Sequence, residues 1–122
     1  MTDTHSFVRT LLDRVPRLRP IYEEHVRYYD ELIPHVFMGD VTRVAVDLHD
    51  DALRGNRVAD EGLSELLAAL EIGLASREEA VQEMISVSFL ENLDREDFAL
   101  DDLRQRLGPT LRHQLERLEM EE

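Results

Sequence analysis

Cysteine and lysine are both missing from the 122 residues, and each gap closes off a chemistry. Without cysteine there is no disulfide framework, no thiolate metal site and no cysteine nucleophile. Without lysine there is no P-loop, because that motif needs a lysine to reach the phosphates. Aromatic residues are scarce, at 6%. The arginines at Arg14, Arg17 and Arg19 surround two prolines with no stacking aromatic between them, which is a poor nucleic-acid arm. They are expected to pair with the acidic middle of the chain instead. Long apolar runs are lacking too. The uncharged stretch Met84 to Leu90 falls far short of the about 18 residues that span a bilayer. The opening residues carry Asp3 and Arg9 where a secretion signal would place a basic start and an apolar core, so a cytoplasmic location is expected.

What the chain has in excess is negative charge. Twenty-seven acids face 14 arginines, a formal net charge of −13. The surplus is uneven: residues 1–29 carry +1, residues 30–102 carry −14, and residues 103–122 are neutral. Such a field repels nucleic acid and anionic membranes and favours a basic protein partner. With 43% hydrophobic residues, a chain of this length can bury a core as one domain and needs no staple.

Every apolar pattern in the sequence has the helical period, and no alternating strand pattern competes with it. The expected fold is therefore all-α: a single-domain stack or bundle of about six to seven short antiparallel helices joined by short connections. Phe7, Val8, Leu11, Leu12 and Val15 form a first stripe, capped by Asp3 or Thr4 and stopped by Pro16. A second helix takes Pro20 in its first turn and shows Ile21, Tyr22, Val26 and Tyr29 on one side. Pro34 breaks or kinks the chain, and a third helix follows with Phe37, Val41, Val44, Ala45, Leu48 and Ala52 on its core face. Its other face carries Asp40, Arg43, Asp47, Asp50 and Arg54 at ion-pair spacing, and Gly55-Asn56 ends it. The fourth helix, capped near Asp60, carries Leu63, Leu66, Leu67, Leu70 and Leu74.

Ser76 followed by Glu79 has the spacing of a capping box and starts a fifth helix. This one presents Val81, Met84, Ile85, Ser88, Phe89 and Asn92 on one face and adds Val87 and Leu90 on another, which predicts a central, doubly covered helix. Leu100, Leu103 and Leu107 predict a short helix ended by Gly108. Pro109 then opens a last helix with Leu111, Leu115 and Leu118, and residues 119–122 are expected to fray. The chain thus divides into N-terminal helices over 1–29, a core over 30–118 and a short tail over 119–122.

Few motifs carry chemistry. His49-Asp50 is the dipeptide of metal-dependent HD-type hydrolases, but that site also needs a second histidine and a further aspartate. His25 or His35 and Asp94 or Asp101 are nominated only arbitrarily. No histidine follows a glutamate by three residues, so a carboxylate-bridged di-iron bundle is absent, as are His-Glu-x-x-His and Gly-x-Ser-x-Gly. No cofactor, catalytic or metal-ligating set is assigned. Two segments place polar groups inside apolar patterns: Glu31 to Asp40, with His35 after a proline turn, and Glu83 to Leu93, with Ser88 and Asn92 one turn apart. Buried Ser and Asn can return hydrogen bonds to backbone carbonyls. A functional version would gather His35, Asp40, Glu91 and Asn92 in one polar pocket.

These two segments, read as Glu-Leu-Ile-Pro-His-Val-Phe-Met-Gly-Asp and Val-Gln-Glu-Met-Ile-Ser-Val-Ser-Phe-Leu-Glu-Asn-Leu, resemble a family of small bacterial all-helical domains of unknown function. The resemblance takes in Leu107-Gly108-Pro109, covers roughly residues 30–118, and brings no activity, cofactor or site with it. A looser analogy of size and charge is to immunity proteins, which bind and neutralise a toxin. The function expected from these observations is a non-enzymatic acidic domain that occludes a basic partner through Asp40, Asp47, Asp50, Asp51 and Glu91. The alternatives are a hydrolase using His49 and Asp50, and a homo-oligomeric structural subunit joined through Val87 and Leu90.

Overall fold

In the computed structural model, residues 3–94 and 100–120 are described, and among them every regular element is a helix. The first, α1 (Thr4–Arg14), is capped by Asp3, whose carboxylate accepts the Ser6 N–H at 2.8 Å. Of the two candidate caps, the structure thus uses the aspartate. Pro16 lies just beyond the helix end, and Phe7, Val8, Leu11 and Leu12 are buried. In α2 (Leu18–Tyr29) the buried residues are Leu18 and His25, with Ile21 and Tyr22 half-buried against the core. Tyr29, expected on the apolar face, is 40% exposed. Asp30 closes this helix in the left-handed conformation at φ 64.

Pro34 is the first residue of α3 (Pro34–Leu53), where its missing N–H costs nothing. Nine of the twenty residues are buried, including Met38, Thr42, Val46 and His49 beyond the predicted stripe. Gly55 turns the chain at φ 94, and Asn56 caps α4 (Arg57–Ala75) by accepting the Ala59 N–H at 3.0 Å. The cap expected near Asp60 therefore lies four residues earlier. Asp60 sits within the first turn and pairs with Arg106 at 2.6 Å.

Three segments then run end to end: α5 (Glu79–Glu83), a π-helical stretch π1 (Met84–Leu90) and α6 (Glu91–Asp94). The capping box does not form. Glu78, in an extended conformation, is the N-cap, so Glu79 opens the helix and cannot reach back as a third-position residue would. Ser76 instead donates to the Gly73 carbonyl at 2.7 Å, and Gln82 reaches the Ser76 carbonyl. The wider turn of π1 carries Ser88, Phe89 and Leu90 together into the core while Val87 is 44% exposed. Leu90, expected as surplus apolar surface, is therefore fully buried, and an oligomer interface cannot use it.

Two short elements finish the chain, α7 (Leu100–Arg104) and α8 (Pro109–Met120). Leu103, Leu107, Leu111 and Leu115 are buried. Glu119 and Met120 stay helical rather than fraying, and Arg104 holds Glu119 at 2.6 Å. The last two residues of the expected tail lie outside the described residues. In the assembled stack, α4 and the 79–94 rod lie side by side, α3 crosses both, α1 and α8 flank them, and α2 packs on α3.

Candidate functional site

The α2 and α3 helices meet across a hairpin, and between them opens a cleft of about 320 Å³. Asp30 and the three residues after it fold back so that the Ile33 N–H donates to His25 Nε2 at 3.0 Å. That bond leaves the ring proton on Nδ1, which is enclosed and has no partner. His25 is itself 4% exposed, and its ring lies against Phe37 and Tyr29 at centroid distances of 5.6 and 4.8 Å. Tyr28, 79% exposed, stands edge-on to Tyr29 at 4.8 Å. Glu24, Val36, Asp40 and Arg43 complete the walls. Sequence reasoning weighed His25 only as an arbitrary second metal ligand, although Leu18, Ile21, Tyr22 and His25 follow the helical period of a core stripe. Adjacent tyrosines were a second signal, since neighbours on a helix point about 100° apart and cannot both be buried by one face.

From the cleft a strip of charge runs along α3. Asp40 pairs with Arg43, Asp47 is exposed, and Asp50 and Asp51 are half-buried. Asp40 and Asp51 are about 16 Å apart along the axis. Arg17 reaches Asp51 at 3.6 Å, whereas Arg19 pairs with Asp13 at 2.8 Å, outside the acidic middle. Arg14 lines a small hollow between α1 and α4 and makes no ion pair among the described residues. Of the three N-terminal arginines, only Arg17 meets the acids it was expected to meet. The Glu91 side chain, half-buried on α6, makes no hydrogen bond or ion pair among the described residues.

The four residues nominated for a polar pocket do not converge. His35 Nδ1 and Ser88 Oγ share a hydrogen bond of 2.8 Å, and Asn92 donates to the Ser88 carbonyl at 2.6 Å, so those two ends meet through Ser88. Asp40 faces elsewhere, because five positions along a helix rotate it about 140° from His35. Buried Thr42 donates to its own helix at Met38 and lies 3.4 Å from the carbonyls of Ser88 and Phe89. These donors crowd the carbonyls of π1, where the regular helical ladder is interrupted. The cluster braces the π segment: Thr42 and Asn92 bond its backbone, and His35 bonds the Ser88 hydroxyl.

The His49-Asp50 pair is split by the fold. His49 points into the core, 2% exposed, with both ring nitrogens enclosed and unpartnered. It cannot share an ion with Asp50 at the helix surface without leaving the core. Among the described residues, no three histidine or carboxylate side chains are grouped closely enough to hold a metal. The side chains of Asp94 and Asp101, nominated as further ligands, lie outside those described. A groove of about 440 Å³ between the 79–94 rod and α8 is bridged by Gln114 donating to Ser86 Oγ at 2.9 Å, and Glu79, Glu83 and Arg117 rim it. No hydrogen bond joins the Ser86 hydroxyl to Glu79 or Glu83 among the described residues. No helix among the described residues is long and apolar enough to cross a membrane.

A family model described as a domain of unknown function, DUF7674, matches residues 8–121, and the chain belongs to that family. The match takes in α1 and α2 as well as the segments that carry the sequence resemblance. No curated protein and no solved structure matches the chain.

Proposed function

We propose that this DUF7674 chain is a non-enzymatic, cytoplasmic partner-binding domain, immunity-like in its logic, which neutralises a basic protein by covering its surface. The observation that carries this reading is the joining of two features on one face. The acidic strip of α3 runs directly into a cleft whose rim exposes Tyr28, Tyr29 and Val36. Exposed tyrosines beside apolar surface are what interface hot spots are made of, and a charged border steers association and excludes wrong partners. The α3 strip supplies Asp40, Asp47, Asp50 and Asp51. Glu91, on α6, extends the field past the end of this face.

Retention of a partner from native host cells by the full chain tests the proposal, at low and moderate salt and with bound proteins identified by mass spectrometry. A stoichiometric basic protein is expected, released as salt screens the field and retained poorly by a doubly reversed Asp47→Lys, Asp50→Lys chain that still folds. Recovery of the bait alone, or a partner held equally well by the reversed chain, would sink it.

A further inference from the structure

We infer that the cleft between α2 and α3 is a receptor for one arginine side chain of the basic partner, with Tyr28 and Tyr29 as its stacking faces. The inference rests on the partner-binding reading above and names the anchor of that contact. Two observations lead to it. First, the walls combine two exposed tyrosine rings with the carboxylates of Glu24 and Asp40. Aromatic faces attract a cation through their quadrupole, and a planar guanidinium both stacks on a ring and bonds a carboxylate in two directions, which a lysine ammonium cannot do. Second, a guanidinium already rests there: Arg43, 68% exposed along its side chain, bonds Asp40. The wall therefore accepts this group, and the chain's own arginine occupies one carboxylate in the unbound state.

His25 forms the inner wall and takes no part in holding the cation, because its enclosed Nδ1 carries the ring proton and a guanidinium has donors only. The other tyrosine, Tyr22, is half-buried against Phe37 at 5.8 Å and belongs to the core rather than to the cleft rim. The arginine sits between Tyr28 and Glu24, competes with Arg43 for Asp40, and takes its specificity from the rings rather than from net charge.

The test is an NMR titration of the full chain with acetyl-Gly-Arg-Gly-amide and with the same peptide carrying neutral citrulline. The ring resonances of Tyr28 and Tyr29 report binding, with Tyr22 as the internal control. Saturable shifts at the two cleft tyrosines are expected with the arginine peptide. The citrulline peptide should bind roughly three- to fivefold more weakly, the range that a cation over a half-exposed ring supplies. Tyr28→Ala, at an exposed position that leaves the fold intact, should weaken the arginine peptide by a similar factor. Arg43→Gln should strengthen it, and should do so more than Arg54→Gln, which removes the same charge from the far end of α3. Equal response to both peptides, no loss in Tyr28→Ala, or equal gain in the two arginine variants would each overturn the assignment. The two proposals fail separately. Salt-sensitive capture of a partner with tyrosines unmoved by the arginine peptide removes the anchor and keeps the partner reading. A specific tyrosine response with no partner captured removes the partner reading and leaves an arginine site.

Discussion

Where α4 meets α1 and α8, a half-buried carboxylate and two glycines bring the chain into close contact; where α2 meets α3, a buried nitrogen lacks a partner and tyrosines face water. The first side is closed by two long-range devices. Glu71 of α4 places its carboxylate at the start of α8, accepting the N–H groups of Thr110 and Leu111 at 2.8 Å each. Gly108 makes room for it, since a Cβ there would stand 2.5 Å from the Glu71 carboxyl carbon. Gly73 likewise lets α4 approach so closely that a Cβ would meet Phe7 at 2.5 Å and Ile85 at 2.8 Å. The second side is closed only by the Ile33 N–H on His25 Nε2, which leaves Nδ1 unpartnered. The first side holds the fold, and the second carries the face proposed to meet a partner.

The strongest way to break the contrast is at Glu71. Replacing it by alanine removes a charged acceptor from two part-buried N–H groups at a helix N-terminus, where the macrodipole also favours it. A loss of about 3 kcal/mol in urea unfolding is expected. Tyr28→Ala on the open side should change stability by less than about 0.5 kcal/mol in the same assay. Comparable losses in the two variants would mean the sides do not differ as described. Next in size is Gly73→Ala. The added methyl must displace the Phe7 ring and the Ile85 side chain from a filled seam, at a cost of about 2 kcal/mol. A neutral Gly73→Ala would show that α1 and the 79–94 rod can yield there.

How much of this was legible depended on the range of each interaction. The helices and their core stripes follow from local period, which is why Leu63 to Leu74 on α4 and Phe37 to Leu48 on α3 are buried as read. Caps made within one turn, such as Asp3 and Asn56, lie within reach of the same reasoning. Glu71 does not, because it serves a helix whose first N–H groups are 39 and 40 residues away in sequence. The π segment was equally hidden, since Val87 and Leu90 look alike on a 3.6-residue template and only the wider turn separates their fates. At the candidate site, the α3 acids were visible as a strip. Their junction with the tyrosines of α2 depends on the hairpin angle, which local pattern does not contain.

His49 sharpens the comparison from inside the core. Its two enclosed nitrogens have no partner, as at His25 Nδ1, but it lines none of the three cavities described above. If that imidazole is a cost the fold merely tolerates, leucine of similar size should stabilise the chain by about 1 kcal/mol, because an unbonded buried donor carries a desolvation penalty. Destabilisation in thermal or urea unfolding would instead mean that the ring bonds something at this site. The same reasoning makes partner capture unchanged in His49→Leu, since the residue is outside the proposed face.

The smallest expected effect compares the two helix caps directly. Asp3 caps α1 locally and at the surface, while Glu71 caps α8 from another helix and is half-buried. Bonding to the Ser6 backbone N–H holds the Asp3 carboxyl below its ordinary value of 3.8. Because the folded value is the lower one, the stabilisation is present above the unfolded pKa and is lost as pH falls through the folded pKa. The first turn of α1 should therefore lose amide protection as pH drops below about 4, the usual range of the aspartate. Asparagine at position 3 keeps the cap without the charge, so Asp3→Asn should hold the turn with a flat profile. An acid transition at Ser6 that persists unchanged in Asp3→Asn would place its origin in another carboxylate and remove Asp3 as the titrating cap.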